Sequence, residues 1–112
     1  MAMIVLTVNA GSSSVRLATF KDDAVPQRHA VAHDGHGTAA ARLRAFLRER
    51  NIGPVSVVAH RVVHGGNALV APCVVDARVE AEIEHLAPLA PLHNPVALAW
   101  IRAAREALGP GV

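Results

Sequence analysis

The chain has 112 residues, 52% hydrophobic and 18% charged, enough apolar material for one core and too much for a disordered segment. Eleven Lys and Arg against nine Asp and Glu leave a formal charge of +2, too small and too scattered for a nucleic-acid or membrane-surface footprint. Cys73 is the sole cysteine, which excludes an internal disulfide and points to a reducing, cytoplasmic setting, and no run approaches the ~20 apolar residues of a membrane span.

In chain order, Ile4 to Val8 reads as a strand, β-branched-rich, and Asn9-Ala10-Gly11-Ser12-Ser13-Ser14 as a turn. Val15 to Phe20 resumes as a strand with Val15, Leu17 and Thr19 on one face and Ser14, Arg16 and Ala18 on the other. The unit is a β-hairpin. A further short strand is expected over Gln27 to Ala32. Thr38 caps a helix from Ala39 to about Arg50, with Leu43, Phe46 and Leu47 on its apolar stripe, and Asn51 with Gly53-Pro54 stops it.

Val55 to Ala59 reads as a buried strand running into His60-Arg61-Val62-Val63-His64 and ending at Gly65-Gly66. Leu69 to Val75 is another extended candidate, interrupted by Pro72. Asp76 caps a helix with Val79, Ile83 and Leu86 at helical spacing. Two prolines break the stretch from Leu86 to His93, and Asn94-Pro95 then reads as a cap followed by proline at the first helical position. That last helix runs to about Leu108 and closes at Gly109-Pro110. A hairpin followed by strands alternating with helices implies an α/β fold with a mixed sheet.

Three segments can carry chemistry. The turn Asn9 to Ser14 with Arg16 offers backbone N–H groups, hydroxyls and a guanidinium, as a phosphate requires, and Gly11 allows close backbone approach. Asn9 is suited to hold a cation's water shell through a neutral amide oxygen. The Walker A pattern is absent, and an ordinary polar hairpin turn explains the same residues. In the second segment, His60 and His64 are four apart, but Arg follows the first histidine where a metalloprotease has its glutamate, and the flanking valines favour a strand. On that strand Arg61 and Val63 share a face. A guanidinium beside a small apolar side chain suits a short carboxylic acid, and a structural salt bridge is the competing explanation. In the third, Leu89-Ala90-Pro91-Leu92-His93-Asn94-Pro95, the prolines fix Leu92 and His93. His93 either donates to a phosphoryl oxygen or caps the helix that follows. Cys73 reads as packed, and His29, His33 and His36 as members of a wet loop.

Taken jointly, VLTVNAGSSSVRL, AHRVVHGG and LAPLAPLHNP resemble, in order and character, the acetate/propionate kinase family, the acetokinases. The resemblance implies the fold of actin, Hsp70 and the sugar kinases, here the N-terminal part of a domain that residues 1–112 leave incomplete. It implies reversible transfer of the γ-phosphoryl group of ATP to acetate or propionate with Mg2+, in a homodimer when intact. Matched motif by motif, Asn9 is the magnesium-associated asparagine, and Ser12 and Ser14 are phosphate-loop hydroxyls. Arg16 stands where the family has a nucleotide-contacting lysine. Arg61 corresponds to the carboxylate-holding arginine, Val63 and Leu92 to the walls of the methyl pocket, and His93 to a catalytic histidine near the transferring phosphoryl group. The spacing between the first two motifs is shorter than in the family, placing a trimmed region between Phe20 and Thr38. The strand bearing the family's catalytic aspartate is not within the 112 residues, so the chain alone is expected to lack appreciable kinase activity. A non-catalytic carboxylate- or phosphate-binding module and an orphan half-domain requiring a partner are the alternatives.

Overall fold

The computed structural model describes residues 3–11, 13–32 and 37–112. Its elements are β1 (Ile4–Ala10), β2 (Ser14–Lys21), β3 (Gln27–Ala32), α1 (Ala39–Glu49), β4 (Val57–Arg61), α2 (Ala77–His85), a single 3-10 turn over Ala87–Leu89, and α3 (Asn94–Leu108). The four strands form one sheet in the order β3-β2-β1-β4. β1 pairs antiparallel with β2 and parallel with β4, and β3 adds antiparallel to β2. The expected hairpin and mixed sheet are both present.

Alternation fixes which face is covered. Ile4, Leu6, Val8 and Ala10 of β1 are buried and lie beside buried Val15 and Leu17 of β2, while the odd-numbered residues of β1 are half-buried. The helices sit on the even face: Leu43 and Phe46 from α1 and Ala97, Trp100 and Ala104 from α3 join the strand residues in one cluster. A smaller cluster of Val79, Ile83, Leu98 and Ile101 docks α2 onto α3, with Val62 packed against both clusters. With one Trp and two Phe in the whole chain, this core is mostly aliphatic and alanine-rich.

The caps follow the sequence where the chemistry is local. The Thr38 hydroxyl accepts from Ala41 N–H at 3.1 Å, and the Asp76 carboxylate accepts from Val79 N–H at 2.9 Å. Four expectations need correction, the first being Cys73, which was expected to pack and is exposed. The strand expected at Val55 to Ala59 occupies Val57–Arg61 and is an edge strand with Val57 and Ala59 exposed, because nothing among the described residues pairs with its outer side. Leu69 to Val75 makes no strand, and Pro72 lacks the N–H that a ladder needs. The N-cap of α3 is His93 rather than Asn94, so Pro95 falls at the second helical position. No helix among the described residues is long and apolar enough to cross a membrane.

Candidate active site

The uncovered face of the sheet carries the row that matters. In the register, Asn9 faces Arg16 on one side and Arg61 on the other, and Arg16 in turn faces Ala30. Partners in register project to the same face, so Arg16, Asn9 and Arg61 stand side by side on the face opposite the helices. Two inter-strand spacings separate the outer pair, roughly 10 Å between their backbones. Both arginines are exposed, and neither has a hydrogen-bond or carboxylate partner among the described residues. The Asn9 Oδ1 between them is buried and has no hydrogen-bond partner among the described residues.

The ends of the elements bring more of the sequence to this row. Asn9 and Arg61 lie at the carboxyl ends of two parallel strands, the place where open α/β sheets bind ligands. Beyond Asn9 the chain turns back, with Gly11 N–H donating to the Ser14 carbonyl at 2.8 Å. A Cβ at Gly11 would lie 3.1 Å from that same oxygen, so the close return favours glycine. Ser14 is half-buried at the start of β2. Ser12 lies outside the described residues, as do His33 and His36. His29 stacks on Phe46 with 5.8 Å between ring centroids.

Strand β4 ends at Arg61, so Val63 lies two residues past the ladder rather than on it. Val63 is 45% exposed. After it the chain reverses at Gly65, where a Cβ would lie 2.1 Å from the Leu69 carbonyl oxygen and no other residue fits. The third segment is tied to the second by Asn94, whose Nδ2 donates to the His64 carbonyl at 3.0 Å while its Oδ1 accepts from His64 N–H at 3.4 Å. Leu92, 69% exposed, and His93, half-buried, immediately precede it. The His93 side chain makes no capping hydrogen bond, so capping does not account for its imidazole. The second and third segments are thus joined through Asn94 and His64, and the first and second through the pairing of β1 with β4.

This arrangement is suited to anions. Two unpaired guanidiniums on a rigid sheet attract negative groups from either side of a neutral amide. No group of three or more His, Cys, Asp or Glu that could hold a metal ion occurs among the described residues. The orphaned Asn9 Oδ1 is a neutral oxygen, the donor type a magnesium ion accepts when phosphate and water supply its other ligands.

A groove of about 810 Å³ lies elsewhere, along β4 on the helix side among Val58, His60, Val62, Ile83, Ile101 and Arg105. His60, in register with Val8 and so turned toward the helices, lines it. Burial, reinforced by the positive charge of Arg105, lowers its pKa from 6.5 to about 4. The groove is largely apolar and lies on the other side of the sheet from the arginine row.

The acetokinase family profile matches residues 21–111. The chain belongs to the acetokinase family. Acetate kinase from Micrococcus luteus is 38% identical over 122 aligned residues, covering 93% of this chain and 31% of that protein. Propionate kinase from Edwardsiella piscicida is 38% identical over 106 residues, covering 94% of this chain and 25% of that protein. Among solved structures, acetate kinase from Porphyromonas gingivalis superposes with a TM-score of 0.76 at 25% identity, covering 98% of this chain and 35% of the other. Acetate kinase from Entamoeba histolytica gives 0.75 at 28% identity, covering 97% and 33%. This acetokinase chain thus spans about a third of the length of the relatives it matches. Its fold is that of the actin-like ATPases, as the resemblance implied.

Proposed function

We propose that this chain forms the carboxylate- and phosphate-holding part of an acetate-kinase-type phosphotransferase, which moves the γ-phosphoryl group of ATP reversibly onto acetate or propionate. The observation carrying this reading is the row Arg16–Asn9–Arg61 at the carboxyl ends of β1 and β4. Acetate is already a nucleophile, so no strong base is needed. The barrier comes from bringing two anions together, and positive charge with in-line positioning lowers it. Arg61 holds the carboxylate while Val63 and Leu92 flank the alkyl end. Arg16, Ser14 and Ser12 hold phosphate oxygens, and His93 donates to the transferring group. Asn9 is the residue to hold a phosphate-bound Mg2+, which supplies charge neutralisation when present.

Residues 1–112 form, on this reading, the first part of a larger N-terminal domain, in a protein that works as a cytoplasmic homodimer. Val63 and Leu92 stand open to solvent, so the alkyl pocket is not enclosed by the described residues, and an unenclosed site gives neither desolvation nor commitment to the transition state. The chain alone is therefore expected to bind without turnover.

The test is an NMR titration of the labelled 112-residue chain with acetate and with inorganic phosphate. Acetate should shift the Arg61 Nε–H signal, Arg61→Ala should remove the response, and Arg48→Ala, on the exposed side of α1, should leave it intact. Loss in both variants, or in neither, refutes the assignment. A hydroxamate assay for acetyl phosphate should read background with this chain, and robust turnover would refute the view that more of the protein is required.

A further inference from the structure

The least exposed polar residue among the described residues is not one of the anion-facing groups. Asn94 is 0% exposed, although it sits in the first turn of α3 directly after Leu92-His93. Its side chain bridges three elements. Besides the paired contacts to the His64 carbonyl and N–H, Nδ2 reaches the Ile83 carbonyl of α2 at 3.3 Å. Both amide functions are thus used, which is what a fully buried amide requires. Residues 64 and 94 are brought together across 30 positions of sequence by this one side chain.

The consequence concerns Val63 and Leu92, one residue before His64 and two before Asn94. At 45% and 69% exposure, neither is held by its own packing. The segment leading to Asn94 is itself rigid: Leu89, Ala90, His93 and Asn94 each donate a backbone N–H to a carbonyl three or four residues earlier. The segment around Val63 is pinned by the Gly65 reversal and by Val62 in the core. Two stiff segments are joined by this clamp, beside the packing of Val62 against the clusters that contain α3.

We infer that Asn94 is a positioning residue that fixes the separation of Val63 from Leu92 and so sets the length of alkyl chain the carboxylate site accepts. The inference rests on the proposed carboxylate role of Arg61 and deepens it. Shortening the side chain in Asn94→Ser removes its reach to His64 while keeping a polar group at the helix start. The relative response of the Arg61 signal to acetate, propionate and butyrate should then shift toward the longer acids, roughly threefold or more in the butyrate-to-acetate ratio. A purely structural role would weaken all three acids alike. A folded Asn94→Ser chain with an unchanged ratio overturns the inference and leaves the reading of Arg61 standing. A wild-type chain with no Arg61-dependent response to any acid overturns both.

Should Asn94→Ser not fold, the wild-type chain still decides. A clamp that registers the pocket is stabilised by whatever fills the pocket, so saturating propionate should slow amide exchange at His64 several-fold relative to the Ala41 amide at the start of α1. Equal exchange at His64 with and without propionate overturns the inference.

Discussion

Arginine is used in two opposite ways on the two sides of this molecule. Between α2 and α3, Arg105 pairs with the nearly buried Glu80, Arg102 reaches the same carboxylate at 3.5 Å, and Arg102 also lies 3.5 Å from Glu84. On the open face of the sheet, Arg16 and Arg61 flank Asn9 with no counter-ion among the described residues. The helix-side charges are matched because they join two helices in the absence of any ligand. The sheet-side charges repel one another across a rigid frame, a cost that folding alone gives no reason to keep. Charge matched within the fold marks architecture, and charge left open on a fixed sheet marks a place for something negative.

The largest expected effect lies on the helix side, at His60. His60 has a folded-state pKa near 4 against 6.5 unfolded, so between these values the unfolded chain binds more protons and stability rises with pH. The contribution is complete above pH 6.5 and lost as pH falls to 4, worth up to about 3 kcal/mol. Urea midpoints at pH 7 and pH 4.5 should show that loss, and His60→Leu should flatten it. An unchanged pH dependence in His60→Leu would place the acid sensitivity elsewhere.

Next in size is Arg105→Ala. Glu80 keeps Arg102 as a partner and Arg105 is itself part-exposed, so the loss should be about 1–2 kcal/mol rather than the larger penalty of a fully orphaned buried charge. Exposing the Glu80 pair to 0.5 M salt should recover little of it, since a mostly buried carboxylate is poorly screened. Asp76→Ala, which removes the cap of the helix bearing Glu80, should cost about 1 kcal/mol in a thermal or urea melt. A loss indistinguishable from zero would mean that α2 is held by its apolar stripe alone.

What the sequence made legible is what depends on near neighbours. Thr38 and Asp76 announced their helices because a cap needs only its own first turn, and the hairpin followed from alternation in Val15 to Thr19. The motif residues were legible through the family resemblance, and the structure adds that Asn9 lies between Arg16 and Arg61 in the register. Long-range facts were not legible. Val55 to Ala59 looked buried because β-branched residues suit either an interior or an edge strand, and only the sheet order decides between them. Asn94 looked like a cap because Asn-Pro often is one, whereas its partners are 30 and 11 residues away. Glu80 gave no local sign that it would be nearly buried, since its partners arrive from α3. The one clue within reach was an asparagine directly following the histidine of a stiff proline-rich loop.

The smallest expected effect is the sharpest test of the contrast. Arg61→Ala removes an exposed side chain with no partner among the described residues, at the last position of an edge strand, so its melt should lie within about 0.5 kcal/mol of wild type. Arg16→Ala, removing one of two like charges roughly 10 Å apart, should do the same or gain slightly, the gain shrinking as salt rises because that distance is near a Debye length. A structural arginine cannot behave this way: deleting Arg105 should lower stability and leave any acetate response in place, while deleting Arg61 should abolish the response and leave stability in place. If Arg61→Ala melted as early as Arg105→Ala, the open row would be part of the scaffold, and its two unpaired guanidiniums would need an explanation other than an anion.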